Sequence, residues 1–204
     1  MVLPLVVRIE RTAPPERTDA LEAAALAVLS LLADPGEWAQ EVHTWESAGR
    51  IRKVVRRARG AEWERVLALP GRTIAHRTAE VRVHPPVPLD DWPKDLARLQ
   101  VSGTTLVDTV EPGPPGDVVL WENPELEMSA GKAMAQAGHA AQLLWWATPE
   151  AERREFDVSA RTASVADFKR MAAAGLPVVR DAGFTEIEPG SCTFVADAPG
   201  LPRA

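Results

Sequence analysis

Several residue types are scarce in this chain of 204 residues, and each scarcity narrows what the protein can be. The single cysteine, Cys192, excludes an internal disulfide and any zinc site built from several cysteines. Tyrosine is absent, and only 5% of the residues are aromatic. An excess of basic residues is also absent, because the formal net charge is −6. A polyanion such as nucleic acid would therefore have to bind at a local basic patch.

Long apolar runs are missing as well. No stretch approaches the roughly 20 apolar residues that a membrane span requires. The N-terminal run MVLPLVVRIERT has no basic segment before it and is too short for a signal peptide, so it predicts a strand. We therefore expect a soluble, cytoplasmic protein without contact to membranes.

Proline and glycine are concentrated in EPGPPGD, residues 111–117, which predicts a linker. The stretch VVRIERTAPPERTDALEAAALAVLSLL begins at Val6, and VVLWENPELEMSAGKAMAQAGHAAQLL begins at Val118. The offset is 118 − 6 = 112 without a gap, and it returns where Gly71-Arg72-Thr73 lies opposite Gly183-Phe184-Thr185. Two alanine-rich helices can match by coincidence, but agreement at two separate places favours a duplication. The halves are then 1–110 and 118–204.

Alternating short strands and amphipathic helices predict an α/β fold, a layered mixed β-sheet with flanking helices. In the first half, strands are expected over 3–11, 50–57 and 77–84, and helices over 16–32 and 61–69. In the second half, strands are expected over 118–123, 156–160, 177–180 and 191–196, and helices over 131–146 and 165–174. Residues 86–110 predict a connecting segment with one short helix.

The segment MSAGKAMAQAGHAA, residues 128–141, carries three polar side chains on a predicted helix. Lys132, Gln136 and His139 are spaced by four and three residues and therefore share one face. The small residues around them allow a substrate to approach closely, and they equally allow tight helix packing. The segment GLPVVRDAGFTEIEPGSCTFVA, residues 175–196, is the second cluster. It places four polar side chains around a turn that enters the last strand: Asp181, Thr185, Ser191 and Thr193.

Together these two segments resemble the type 2 peptidyl-tRNA hydrolases over residues 117–200. The resemblance implies hydrolysis of the ester between a peptide and the 3′ ribose of tRNA, without a cofactor. It also implies that tRNA is a partner. The catalytic set that it implies is Lys132, Gln136, His139, Asp181 and Thr185. Thr193 and Ser191 are the candidate substrate-binding hydroxyls, and no His/Asp/Glu cluster has the spacing of metal ligands.

The first half resembles a decayed copy of the same unit. Under the offset of 112, Ala20, Ala24 and Ala27 lie opposite Lys132, Gln136 and His139, so these site positions are emptied. Members of the family are usually homodimers of one such domain. The resemblance therefore implies a pseudo-dimer in one chain, either monomeric or itself a homodimer.

Charge around the site departs from the family pattern. The turn before Lys132 contains Glu122, Glu125 and Glu127, which suits a phosphate poorly. The run GRIRKVVRRARG, residues 49–60, makes Arg52 and Arg56 candidates for gripping the tRNA backbone, although charge that guards an edge strand is the alternative. Two other functions stay open: a catalytically silent module that binds tRNA or protein, and an ester or amide hydrolase for a substrate other than nucleic acid.

Overall fold

Each half of the chain forms one four-stranded mixed sheet. The computed structural model describes residues 1–48, 51–183 and 186–201. The first sheet contains β1 (Leu3–Arg8), β2 (Lys53–Ala58), β3 (Arg72–His76) and β4 (Ala79–Val83), in the order β2-β1-β4-β3. The second contains β5 (Val118–Glu122), β6 (Val158–Thr162), β7 (Val178–Arg180) and β8 (Cys192–Asp197), in the order β6-β5-β8-β7. In both sheets the first two strands are parallel and the other neighbours antiparallel, so the strand order and directions are the same.

The helices form three layers around the two sheets. They are α1 (Arg17–Ala33), α2 (Ala39–Ser47), α3 (Ala61–Leu67), α4 (Lys94–Ala97), α5 (Ala130–Ala147) and α6 (Val165–Ala173). Helices α1 and α5 contact each other and both sheets, so they lie between the sheets. Helices α3 and α4 cover the outer face of the first sheet, and α6 covers that of the second. The expected α/β architecture of mixed sheets with flanking helices is confirmed.

The central strands are apolar on both faces because both faces are covered. In β1, Leu3 and Leu5 enter the core around α1 and α5, while Val6 points to the outer cluster beneath α3. In β5, Leu120 enters the same central core and Trp121 points outward to α6.

Small residues allow α1 and α5 to pack closely. Ala24 and Ala27 on α1 and Ala137 on α5 are fully buried. A Cβ at Gly138 of α5 would lie 3.1 Å from Cγ2 of Val28 on α1, which is tighter than an ordinary contact. The alanine-rich pattern of both helices therefore reflects helix packing.

A side chain of each central helix also forms a hydrogen bond with the backbone of an edge strand, or of the residues just before it, in the other half. Glu22 of α1 accepts a hydrogen bond from the backbone N–H of Ala160 in edge strand β6 (3.0 Å) and one from Arg161 (3.1 Å). His139 of α5 lies 2.8 Å from the carbonyl oxygen of Ile51, just before edge strand β2. Edge strands carry unpaired backbone groups, so these two contacts join the halves.

Residues 100–114, which span the end of the predicted connecting segment and the start of the predicted linker, run across one end of the molecule and are called the connecting segment from here on. The carbonyl of Gln100 accepts from the N–H of Arg57 at the end of β2, and that of Thr104 accepts from Ala130 at the start of α5. Further along, the carbonyl of Val107 accepts from the N–H of Arg17 at the start of α1. The N-termini of both central helices therefore lie under this segment.

Two elements were not expected from the sequence. Helix α2 buries only Val42 and Trp45, so its apolar periodicity is weak. Strand β3 is five residues long and half polar, which is typical of a short edge strand. The other predicted helices and strands are present with boundaries that differ by at most three residues, although the predicted start of β2 at Arg50 lies outside the described residues.

Glu22→Ala should lower the free energy of unfolding by about 3–5 kcal/mol, because it leaves the buried Ala160 amide and the partly buried Arg161 without their carboxylate. Urea unfolding measures the loss. The exposed Glu41→Ala is the control and should change stability by no more than about 0.5 kcal/mol. Equal losses in the two variants would contradict the role of Glu22.

Stability should also fall in mild acid because of His84. Burial lowers the pKa of this histidine to about 4. The unfolded chain binds the proton near pH 6.5, so the contribution of His84 is complete above that pH and is lost as the pH falls towards 4. At pH 5 the loss is about 2 kcal/mol. Urea unfolding of His84→Asn at pH 7 and pH 5 should show a smaller difference than wild type, and equal differences would refute this assignment.

Candidate active site at the carboxyl edge of the second sheet

Two distant segments meet at one edge of the second sheet. Strands β5 and β7 are both antiparallel to β8, so their carboxyl ends lie at the same edge. Lys132 lies in the first turn of α5, and Asp181 follows β7 directly. Nζ of Lys132 lies 2.5 Å from Oδ2 of Asp181, and both side chains are largely buried, with 11% and 7% exposed.

Asp181 is the centre of this site. Its Oδ2 also accepts a hydrogen bond from Nε2 of Gln136 (2.8 Å), and its Oδ1 accepts one from the N–H of Gly183 (2.7 Å). All three partners donate, which suits an ionised carboxylate. Lys132 therefore has its ammonium group held against a fixed anion.

Thr193 completes the network from β8. Its Oγ1 donates to Oε1 of Gln136 at 2.8 Å, and both residues are buried. Because the carbonyl end of Gln136 accepts from Thr193, its amide N–H₂ end faces Asp181. The structure thus joins four of the predicted site residues, Lys132, Gln136, Asp181 and Thr193, in one network.

The N-terminus of α5 is already occupied. Oγ of Ser129 accepts from the N–H of Lys132 (3.3 Å), and the N–H of Ala130 donates to the Thr104 carbonyl. Ser129 in turn donates from its N–H and Oγ to the carboxylate of Glu186, at 2.8 and 2.7 Å. A carboxylate at this position takes the place that the helix dipole offers to an anion. The ammonium of Lys132, rather than the helix N–H groups, is therefore the group suited to a developing oxyanion.

The acidic turn before α5 is partly neutralised. Glu122 is buried and accepts two hydrogen bonds from Arg17 of α1, at 2.6 and 2.8 Å. This pairing raises the pKa of Arg17. Glu125 lies 3.1 Å from Lys169 on α6. Two of the three acidic side chains that disfavour an anionic substrate therefore have cationic partners.

His139 lies outside the network although it shares the helix with Lys132. It contacts the first half through Ile51, and burial lowers its pKa well below the usual value, with nearby Lys53 acting in the same direction. A neutral imidazole that donates Nε2–H to a backbone carbonyl suits a structural role.

Two other predicted residues belong to the loop after β7. Ser191 accepts from the N–H of Asp181 through its backbone carbonyl (2.9 Å), so it shapes the loop around the carboxylate. Thr185 lies outside the described residues, and its assignment stays a prediction.

The predicted basic residues lie on the first half. Arg56 donates to the carbonyls of Ala97 and Leu99 and stacks on Trp92, with its guanidinium carbon 4.4 Å from the ring centre. Burial lowers its pKa. The carbonyl of Arg52 accepts from Leu3 and Trp45. The contacts described for both arginines thus lie within the first half, whereas Lys132 and Asp181 belong to the second.

Sequence reasoning missed Gly183 and Asn123. A Cβ at Gly183 would lie 2.3 Å from Cγ of Pro189, and its φ of +74° also favours glycine. Asn123 follows β5 and binds the backbone of β8. The signal for Gly183 was present, since a glycine two residues after an aspartate is typical of a turn. Asn123 could have been singled out because it is the one asparagine of the chain.

A cleft of about 340 Å³ lies at the same edge, beside β6. Arg17, Asp108, Glu122 and Arg161 are among its lining residues, so both halves and the connecting segment contribute. Ligands of open α/β sheets commonly bind at the carboxyl ends of the strands.

Comparisons with protein families, with curated proteins and with solved structures find no match for this chain. The resemblance to the type 2 peptidyl-tRNA hydrolases therefore stays a prediction. Within the described residues, no group of three or more His, Cys, Asp or Glu side chains is placed to hold a metal ion. Each helix in that part of the chain is too short or too polar to traverse a bilayer.

Gly183→Ala should destabilise the protein more than Gly190→Ala. Both glycines have positive φ, but only at Gly183 does the new Cβ meet other atoms within 4 Å. Gly190→Ala should cost about 1 kcal/mol of backbone strain, and Gly183→Ala at least about 1 kcal/mol more. Urea unfolding compares the two, and equal losses would show that the loop moves without cost.

Proposed function

We propose that this protein hydrolyses the ester bond of peptidyl-tRNA, or of a related aminoacyl ester, without a cofactor. The observation that carries this proposal is the buried contact between Lys132 and Asp181, 49 residues apart in sequence. Gln136 and Thr193 extend that contact into a network of fixed donors. These are four of the residues on which the resemblance depends.

Ester hydrolysis requires a water, a proton acceptor and a group that stabilises the oxyanion. In the proposed reaction, the water oxygen adds to the ester carbonyl carbon and its proton passes to Asp181. The ammonium of Lys132 stabilises the negative oxygen of the tetrahedral intermediate. The bond to the ribose oxygen then breaks, and that oxygen takes the proton from Asp181. The products are a free carboxylic acid and the 3′ hydroxyl of tRNA.

We further propose that the two halves are duplicated units forming a pseudo-dimer with one active site. The shared strand order and the reciprocal contacts of α1 and α5 support this proposal. The two helices begin 130 − 17 = 113 residues apart, one more than the sequence offset. In this register Asp19 lies opposite Lys132, and it accepts hydrogen bonds from Thr78. The first half therefore has a carboxylate where the second half has its lysine.

The basic run gives little support for tRNA binding. Lys53 is buried, donates to Gln142 at 2.5 Å, and has its pKa lowered well below the usual value by burial. Arg56 and Arg57 donate to the connecting segment and its flanks. Of the basic residues described in this run, only Arg59 is exposed.

A second candidate is hydrolysis of an ester or amide that is not attached to nucleic acid. The carboxylate of Glu186 at the start of α5 favours it, because this carboxylate repels a phosphate where one would approach Lys132. The reacting groups would be the same, and only the leaving group would differ.

Release of an N-acetylated amino acid from charged tRNA tests the first candidate, and hydrolysis of a small N-acyl amino acid ester tests the second. Lys132→Ala and Asp181→Asn should each lower kcat at least about 10²-fold, because they remove the oxyanion partner and the proton acceptor. Lys94→Ala is the control, since Lys94 is an exposed lysine on α4 of the first half. Circular dichroism and thermal unfolding establish that each variant is folded.

Hydrolysis of a small N-acyl amino acid ester, without hydrolysis of the tRNA substrate, would favour the second candidate. Turnover of neither substrate by folded wild-type protein would refute both candidates and favour a silent binding module. Equal activity in Lys132→Ala and wild type would refute the assignment of the site.

A further inference from the structure

Asn123 binds β8, which carries Thr193, and begins the loop that leads to α5, which carries Lys132 and Gln136. We infer that it is a positioning residue, which fixes the Thr193 hydroxyl and through it the Gln136 amide against Asp181. This inference rests on the proposed function, since it concerns the geometry of the same site.

Thr193 reaches the site because β8 contains an extra residue. Val179 of β7 pairs with Phe194, but the next residue, Arg180, pairs with Cys192. Thr193 is therefore the additional residue of a β-bulge. A bulge changes the direction of a side chain relative to the regular alternation of a strand, and bulges are common beside active sites. Here the side chain of Thr193 faces α5 and is fully buried.

Asn123 donates hydrogen bonds to the backbone carbonyls of Cys192 and Thr193, the two residues at the bulge. Its backbone N–H donates to the Thr193 carbonyl (2.9 Å), and its Nδ2 donates to the Cys192 carbonyl (2.8 Å). The first bond is available to any residue except proline, but the second requires a side-chain donor of this length. The asparagine side chain therefore specifies the bulge.

The same side chain also begins the loop that leads to Lys132. Its Oδ1 accepts from the N–H of Glu125 at 2.9 Å, which forms a turn that asparagine favours. One amide group thus sets the position of Thr193 on β8 and the path of the chain from β5 to α5. Both positions determine how Lys132, Gln136 and Asp181 meet.

Asn123→Asp separates these two roles. It keeps an acceptor for the Glu125 amide but replaces the donor to Cys192 with an oxygen that repels the carbonyl. In hydrolysis of N-acetyl-aminoacyl-tRNA, kcat should fall about tenfold with KM within about twofold, because small displacements of reacting groups cost up to about 10²-fold. Gln100→Glu is the matched control, an exposed amide changed to a carboxylate at the same end of the molecule, and should retain wild-type kcat.

Thr193→Val tests whether Asn123 affects kcat through the Thr193 hydroxyl. If Asn123 acts through Thr193, the double variant with Asn123→Asp should have the same kcat as Thr193→Val alone. Additive losses, or unchanged kcat in Asn123→Asp, would overturn the inference. A protein that is merely less stable would show a lower melting temperature without this non-additivity.

A readout independent of activity comes from the side-chain amides. The chain has four glutamines, so labelling with side-chain ¹⁵N-glutamine gives four pairs of NH₂ signals, and the Gln136 pair, called the Gln136 signal below, is identified by its loss in Gln136→Glu. This signal should move in Asn123→Asp and stay in Gln100→Glu. If wild type does not hydrolyse either ester but the signal moves, the hydrolase proposal fails and the positioning role stands. An unmoved signal overturns the positioning role whatever the activity.

Discussion

The close packing of α1 against α5 is the constraint on which the rest of the structure depends. Alanine and glycine at the contact let each helix touch both sheets, rather than only its own. Glu22 and His139 can then reach the edge strand of the opposite half. The same arrangement places the starts of both helices at one end of the molecule, where the connecting segment binds them. Larger side chains at the crossing would separate the layers and break these contacts together.

Buried polar groups in this protein have two different roles. Those of Glu22, Lys53 and His139 join the halves through contacts that are satisfied within the chain. Those around Asp181 gather a cation, an amide and a hydroxyl where β7 ends and α5 begins. Low-dielectric surroundings strengthen such networks and fix their geometry. The network around Asp181 combines a charged donor with a carboxylate beside a loop, which is the combination that the proposed ester hydrolysis requires.

The sequence predicted the site network better than it predicted its surroundings. The helical spacing of Lys132 and Gln136, and the position of Asp181 at a strand end, follow from local periodicity. The direction of Thr193 does not, because a bulge interrupts the alternation of β8. Lys53 shows a second limit. A lysine within a run of arginines predicts solvent exposure, but here Trp45 and Gln142 enclose Lys53. Trp45 belongs to α2, and Gln142 belongs to α5 in the other half of the chain, so the burial of Lys53 depends on tertiary contacts. Helix α2 escaped prediction because only two of its residues are buried.

The connecting segment has a consequence for how the molecule assembles. It is bonded in turn to β2, α5, α1 and β6, yet it is the one covalent link between two sheets that share their central layer. Cleavage between Pro114 and Pro115 would leave two fragments, each exposing an alanine-rich helix face. Their recombination would be a second-order reaction, so the cleaved protein would unfold on dilution while the intact chain would not. The covalent link therefore keeps the two sheets on their shared helical layer whatever the protein concentration.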